Sequence, residues 1–162
     1  MNGREPFAEL TMHPVDARDL DTVVDTFRRM SDRSLYYRFL TGTSDPQPLV
    51  KAHMELVDGR DHRALAVFAG SEVVAVAHWD RSRARREEAE VSIAVEDEWQ
   101  HRGLGRALVR AAAGDAHRHG VNVLTARVLA ENGAARGLAT RQQPVETAFE
   151  GAETEFRFDL AS

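Results

Sequence analysis

The sequence predicts an α/β (α+β) fold in which helices pack against both faces of a mixed β-sheet. Its 162 residues fit one compact domain with one core, so we expect residues 1–162 to form a single domain. Helical and strand-like apolar patterns follow one another with no internal repeat or linker. A strand, a long helix and a second strand occupy residues 89–129, which predicts a right-handed parallel crossover.

Three helices are predicted in the first part of the chain, over residues 16–30, 31–40 and 48–57, and the first and third are amphipathic. Asp16 is a candidate N-cap for the first helix, with Asp19 three residues further on. The Gly, Asp and Pro content before Pro48 predicts a loop, and Pro48 itself suits the first turn of the third helix.

Strands are predicted after the third helix. Two short apolar runs, 64–69 and 73–80, are separated by a Gly-Ser pair and predict a β-hairpin. Residues 89–95 alternate between apolar and other side chains, which is the period-2 pattern of a strand with one face against a core.

The second half of the chain continues with a helix over 103–119, whose apolar stripe ends just before a glycine. A strand over 121–129 and a short helix over 132–141 follow. Residues 145–150 and 154–160 predict a closing hairpin.

Composition excludes several functional classes. The formal net charge of −5 argues against a nucleic-acid-binding protein, which usually has a basic face. The chain has no cysteine, so it has no disulfide framework, no thiolate nucleophile and no cysteine-based zinc site. No apolar run approaches the roughly 20 residues of a membrane helix, and residues 1–14 lack the plan of a signal peptide. We therefore expect a cytoplasmic protein without metal, membrane or nucleic-acid partners.

The junction between strand 89–95 and helix 103–119 is the strongest chemical signal. A helix start has unpaired N–H groups and a partial positive charge, so it can bind an anion. Gly103 and Gly105 would let a diphosphate approach the backbone where a Cβ would block it. Arg102 and Arg106 could add charge-assisted bonds to the same phosphates.

Other phosphate-binding motifs fit this junction less well. The Gly-Lys-Ser or Gly-Lys-Thr of a nucleoside triphosphate loop is absent. Leu108 stands where a dinucleotide-binding fingerprint has its third glycine. The glycine pair alone therefore indicates a phosphate site without naming the ligand.

The spacing Gln100-x-x-Gly103-x-Gly105 at this junction resembles the CoA loop of the GNAT N-acetyltransferases. Asn132 follows the next strand, where that family often has a cofactor-contacting Asn. Residues 30–39 are similar to a bacterial subgroup that includes the GNAT domains of Pat-type protein lysine acetyltransferases. The resemblance covers nearly the whole chain. It implies a GNAT-like three-layer fold whose central, mostly antiparallel sheet contains a splayed parallel pair.

The resemblance also implies acetyl-CoA, or another acyl-CoA, as co-substrate. In the family the pantetheine arm pairs with the strand before the loop, where a backbone N–H polarises the thioester carbonyl. The positions expected to bind the cofactor are Ile93, Ala94, Val95, Gln100, His101, Arg102, Gly103, Leu104, Gly105, Arg106 and Asn132.

Glu90 is the candidate general base. A primary amine with a pKa of about 10.4 is mostly protonated at neutral pH, so a group must remove its proton before attack. The alternation in strand 89–95 turns Glu90 away from the core face, toward a cleft or toward solvent. The resemblance places a general-base Glu at this position in the lysine-acetylating subgroup.

Two features depart from the family pattern. Residues 132–141 contain no tyrosine to protonate the leaving thiolate, so water, Ser92 or Thr140 would replace it, or the thiol would leave as thiolate. Residues 142–144, Gln-Gln-Pro, replace the usual Leu-Gly-Phe.

Tyr36 and Tyr37 border the acceptor site by resemblance, and adjacent helix positions allow only one of them to face inward.

The predicted function is therefore N-acetylation of a primary amine, either a small amine or a protein lysine, by direct attack on acetyl-CoA. A non-catalytic acyl-CoA-binding sensor is the alternative, because the family's tyrosine is missing. The expected assembly is a monomer or homodimer.

Overall fold

Seven strands form one mixed sheet in the order β1-β2-β3-β4-β5-β7-β6 in the computed structural model, which describes residues 9–161. The strands are β1 (Leu10–Val15), β2 (His62–Ala69), β3 (Glu72–Arg81), β4 (Glu88–Val95), β5 (Val123–Leu129), β6 (Glu146–Glu150) and β7 (Glu153–Asp159). The helices are α1 (Leu20–Arg28), α2 (Asp32–Phe39), α3 (Gln47–Leu56), α4 (Leu104–Arg118) and α5 (Gly133–Arg141).

All neighbouring strands pair antiparallel except β4 and β5, which are parallel and joined through α4. The parallel pairing is short, because it covers only residues 88–90 of β4 and 123–125 of β5. The mixed, mostly antiparallel sheet with one splayed parallel pair confirms the predicted fold class.

Helices cover both faces of the sheet. On one face, α4 packs Leu108 against Trp79 of β3 and Leu124 of β5 in a core cluster. On the opposite face, α1 and α3 bury Phe27 and Met54 against β2 and β3. The apolar stripe predicted for α1 is the face that this helix turns toward the sheet, whereas α3 turns Val50 and Met54 inward and leaves Leu49 and Leu56 exposed.

The first strand has no counterpart among the elements that the sequence predicts. β1 is an edge strand in which Val15 is the buried residue, while the others are exposed. It therefore lacks the apolar alternation that identifies a half-buried strand. An exposed edge strand gives little periodic signal, and Pro14 within it weakens the pattern further.

The predicted helix over residues 16–30 begins differently from the expectation. Asp16 caps a short 3-10 turn, Ala17–Asp19, and Asp19 accepts a bond from the Asp16 N–H at 3.1 Å. The α-helix starts only at Leu20. No helix among residues 9–161 is both long enough and apolar enough to cross a membrane.

Candidate active site

A gap between β4 and β5 organises the candidate site. The two strands stop pairing after Glu90 and Thr125, so they diverge from Val91 onward. A parallel pair that separates leaves the backbone groups on its inner edges without strand partners. Such a gap offers hydrogen bonds to an extended ligand.

The register between β3 and β4 shows which backbone groups face this gap. Ser82 N donates to Glu88 O at 2.9 Å, so even-numbered residues of β4 bond to β3. Ile93 and Val95 are odd-numbered, and their N–H and C=O groups point toward the gap. Ala94 has the opposite orientation, so its backbone polar groups point toward β3. Of the three predicted contacts, the backbones of Ile93 and Val95 are the two that face the gap.

A cavity of about 250 Å³ occupies the gap, and we call it the gap cavity. It is mainly apolar, and its wall combines both diverging strands with α4, α5 and α2. Among its lining residues are Tyr37, Ile93, Val109, Ala126, Asn132 and Leu138.

The loop over residues 100–105 is held in place by its own side chains. Gln100 Nε2 donates to Val95 O at 3.0 Å and to Ser34 Oγ at 3.3 Å. The guanidinium of Arg102 stacks over the buried ring of Trp99, with 4.9 Å between Cζ and the ring centroid. Gln100 and Arg102, both predicted cofactor contacts, thus also fix the conformation of the loop.

The two glycines of the loop occupy their positions for different physical reasons. Gly103 precedes α4 with φ of +85°, and a Cβ added there would meet only open space. A Cβ on Gly105 would lie 3.2 Å from Leu138 Cδ2, so this glycine lets α5 pack against α4. The sequence interpretation assigns both glycines to a diphosphate, but close packing against Leu138 is a second reason for a glycine at position 105.

The other predicted loop residues divide into exposed and buried positions. His101, with φ of +62°, and Arg106 are exposed beside the start of α4. Leu104 is buried in the core beneath α4, so its backbone N–H, not its side chain, is available to a ligand. The lining of the gap cavity does not include residues 100–106, so the loop lies outside it.

Asn132 lines the gap cavity at the start of α5. Its Oδ1 accepts a hydrogen bond from Ala135 N at 3.2 Å and thereby caps the helix. The amide NH₂ is the end of this side chain that could donate to a ligand. The predicted cofactor contact therefore also has a structural role.

Glu90 lies at the point where β4 and β5 separate, in a second cavity of about 430 Å³. We call it the acidic cavity, because four carboxylates and one guanidinium lie in its wall. These charged residues are Asp80, Glu88, Glu90, Glu155 and Arg127. Burial raises the pKa of Glu90, and the carboxylates of Asp80 and Glu155 add to the rise, whereas Arg127 opposes it. The Glu90 side chain is 52% exposed, so it remains accessible to an acceptor.

A hydrogen-bond chain flanks Glu90 on the side of β3. Arg38 Nη2 donates to His53 Nδ1 at 3.1 Å, since a guanidinium has only donors. His53 must then hold its proton on Nε2, which donates to Asp80 Oδ2 at 2.9 Å. His62 Nδ1 bonds to Asp80 Oδ1 at 2.8 Å. Burial alone would raise the pKa of Asp80, but these histidine bonds outweigh burial and lower it.

Burial lowers the pKa values of two further groups in this region. Burial lowers the pKa of Arg38 to about 10, against the opposing effect of Asp80 and Glu90. Burial also holds the pKa of His78 well below its usual value, and the ring stacks on His53 at a centroid distance of 4.0 Å. His78 is thus a neutral core histidine.

The two adjacent tyrosines of α2 face different ways. Tyr36 is 39% exposed, while Tyr37 lines the gap cavity. Arg33 Nε donates to the Tyr37 hydroxyl oxygen at 2.9 Å. Helix geometry predicts that only one of the two faces inward, but it does not indicate which.

The hydroxyls considered as substitutes for the missing tyrosine also differ. Thr140 Oγ1 donates to Arg136 O at 2.8 Å on the exposed side of α5, so its proton is already used. Ser92 lines the gap cavity. Gln142 also lines this cavity, and Gln143 has φ of +57°, so the Gln-Gln-Pro segment forms a turn at the cavity edge.

Comparison with known proteins identifies the family to which this chain belongs. The sequence model of the Acetyltransferase (GNAT) family matches residues 26–143. The chain is 31% identical over 132 residues to the acetyltransferase Pat of Mycolicibacterium smegmatis. That match covers 80% of this chain and 39% of the relative, so this chain spans well under half the length of that protein.

Solved structures agree with the family match. The GNAT domain of S. lividans PAT superimposes with a TM-score of 0.84 at 27% identity, covering 91% of this chain and 89% of that one. YncA of Salmonella typhimurium, solved with acetyl-CoA, gives 0.69 at 18% identity over 94% of this chain and 95% of the other. PaiA of Thermoplasma acidophilum, solved with coenzyme A, gives 0.73 at 13% identity over 93% and 99%. The last two likenesses show a shared fold.

Proposed function

Because this chain belongs to the GNAT family of acetyl-CoA-dependent N-acyltransferases, we propose that it acetylates a primary amine with Glu90 as general base. The position of Glu90 is the observation that carries this proposal. Glu90 is the last residue of β4 that pairs with β5, and it lines the acidic cavity next to Val91, which lines the gap cavity. A base at this point could reach an amine that approaches a thioester held in the gap.

The cofactor would bind along the gap and the start of α4. The backbones of Ile93 and Val95 offer hydrogen bonds to the amides of a pantetheine arm, although Val95 O already accepts one bond from Gln100. The N–H groups at the start of α4 offer an anion site for the diphosphate. Arg106 is exposed beside them and adds positive charge. Acetyl-CoA bound to the relative YncA supports this choice of acyl donor.

The reaction would proceed by direct attack of the amine. Glu90 takes a proton from the amine, directly or through water, and the nitrogen attacks the thioester carbonyl carbon. A backbone N–H of Ile93 or Val95 would stabilise the negative charge that develops on the carbonyl oxygen. Because burial raises the pKa of Glu90, its proton affinity is closer to that of a useful base at neutral pH.

The acidic cavity supports a cationic acceptor. Its four carboxylates favour an ammonium group over a neutral or anionic molecule, since opposite charges attract in a partly desolvated cleft. We propose a protein lysine side chain as the first acceptor to test. The similarity to the acetyltransferase Pat and the resemblance to Pat-type lysine acetyltransferases support this choice over a small amine.

Glu90→Gln tests the role of the base. The variant keeps the shape of the side chain and loses its basicity, so turnover should fall about 10²- to 10⁴-fold. Release of free CoA with a lysine peptide measures this effect. Acetyl-CoA should raise the melting temperature of the variant as much as that of the wild type.

Glu87→Gln is the matched control, because Glu87 is an exposed carboxylate next to the start of β4. It should retain turnover.

In the wild type, the rate should fall as the pH drops through a pKa above 4.5, since protonated Glu90 cannot accept a proton. Unchanged turnover in Glu90→Gln would remove Glu90 from the mechanism.

A non-catalytic acyl-CoA sensor is the second candidate function. It is favoured by α5, which contains no tyrosine, and by the altered segment after it. This alternative predicts that acetyl-CoA raises the melting temperature while no amine or peptide releases CoA. A single acceptor with robust turnover would exclude it.

A further inference from the structure

The helix α2 runs beside β4, from the loop end of the strand back toward Glu90. At one end, Gln100 Nε2 bonds both Ser34 Oγ and Val95 O. At the other end, the chain from Arg38 through His53 reaches Asp80, the residue opposite Glu90 in the β3–β4 register. Tyr37 lies between Ser34 and Arg38 along α2, and it lines the gap cavity.

Tyr37 shares the gap cavity with Ser92 and Ile93. Its phenol oxygen accepts a hydrogen bond from Arg33 Nε at 2.9 Å. An oxygen that accepts from a guanidinium keeps its own O–H free to donate elsewhere. The adjacent guanidinium would also stabilise the negative oxygen that remains after the proton has left.

We propose that Tyr37 is the proton donor to the departing CoA sulfur. This inference rests on the proposed acetyl transfer, and it supplies the acid that α5 lacks. Tyr37 lines the gap cavity from α2, which packs on β4, whereas α5 packs on β5. Its sequence position therefore differs from that of a tyrosine following Asn132.

The proposed step balances in atoms and electrons. The acceptor ammonium first gives one proton to Glu90, and the neutral nitrogen then forms a bond to the carbonyl carbon and releases its second proton to solvent. The carbon–sulfur bond then breaks, its electron pair moves to sulfur, and the Tyr37 O–H proton transfers to that sulfur. The products are the N-acetyl amine and free CoA thiol. Solvent returns a proton to the Tyr37 phenolate, and Glu90 releases its proton to solvent.

Tyr37 suits this step better than Ser92, the other hydroxyl in the gap cavity. A phenol has a pKa of about 10, close to the value of about 8.5 for a thiol, so the proton transfer is nearly balanced. An alkyl hydroxyl is a much weaker acid. Proton transfer is most efficient when the pKa values of donor and acceptor are close.

Tyr37→Phe tests the proposal, because it removes the hydroxyl and keeps the ring in the cavity wall. We expect kcat to fall about 10²-fold or more, with the Kd for acetyl-CoA unchanged. Replacement by 3-fluorotyrosine keeps the hydroxyl, so activity should persist.

Tyr36→Phe is the matched control, since this neighbouring tyrosine is exposed, and it should behave like the wild type. A Tyr37→Phe variant with wild-type kcat would overturn the assignment. So would a Ser92→Ala variant that loses activity while Tyr37→Phe keeps it. Absence of turnover in the wild type itself would contradict the acetyl transfer instead, so the two failures are distinguishable.

Discussion

Gly103 precedes α4 at the proposed phosphate site, and its backbone conformation favours glycine. Its φ of +85° lies in the left-handed region, which costs any residue with a Cβ about 1 kcal/mol or more. Open space surrounds the position, so a substitution there would meet no steric clash. The requirement for glycine at this point is therefore conformational.

Gly103→Ala should lower the free energy of unfolding by about 1 kcal/mol through this backbone strain. Gly103→Asn should cost less, because Asn tolerates the left-handed region better than Ala. Urea unfolding of both variants measures the difference. Equal destabilisation by Ala and Asn would show that tolerance of the left-handed region does not determine stability at this position.

The environment of Glu90 is predicted only in part by the sequence. The alternation along β4 predicts that Glu90 leaves the core face, and the structure places it in the acidic cavity. The sequence does not predict that Asp80 and Glu155 join it there. These residues come from β3 and β7, and only the register of the sheet brings them close.

At the scale of elements, α2 is anchored to the turn that precedes the proposed cofactor loop. Asp97 accepts bonds from Ser31 N at 3.0 Å, Ser31 Oγ at 2.9 Å and Ser34 Oγ at 3.2 Å. Ser31 Oγ also caps α2 by accepting from Ser34 N at 3.1 Å. Movement of the loop would therefore be transmitted to the helix that holds Tyr37.

Asp97→Ala should destabilise the protein by about 1 kcal/mol, since it removes the acceptor for the start of α2. Ser34→Ala should cost less, because it removes one of these bonds. The double variant should cost less than the sum, with a coupling of about 0.5 kcal/mol or more. Urea unfolding of the four proteins gives this cycle. Strict additivity would mean that the Ser34–Asp97 contact contributes nothing.

At the scale of the whole molecule, the buried His78 links stability to pH. Its side chain is 2% exposed, with Nε2 3.4 Å from Met54 Sδ between α3 and the sheet. Its Nδ1 has no hydrogen-bond partner in the part of the chain that the structure describes. Protonation would place a charge in this core, which explains why the pKa is lowered.

The unfolded chain binds a proton at this histidine near pH 6.5, whereas the folded chain does so only at lower pH. Stability should therefore fall as the pH drops below about 6.5, with a slope of up to about 1.4 kcal/mol per pH unit from this group. His78→Phe keeps an aromatic ring against His53 and should show a shallower slope. Chemical unfolding at a series of pH values measures it. Identical slopes would show that other groups cause the acid sensitivity.

The sequence by itself determined most elements, the helix start with its glycines and the strand face that presents Glu90. These features depend on local periodicity and backbone preference, which neighbouring residues encode. The edge strand β1 escapes prediction because its exposure leaves little pattern to detect. The 3-10 turn before α1 escapes it because helix ends respond to hydrogen bonds that spacing does not specify.

Only the tertiary structure decided which side chains share the two cavities. It turned Tyr37 inward and Tyr36 outward, gathered three other carboxylates around Glu90, and gave Gly105 a packing partner in Leu138. Ser34 and Asp97 bond across 63 residues of chain. Such contacts follow from strand register and helix packing, which depend on the whole core and not on any local segment.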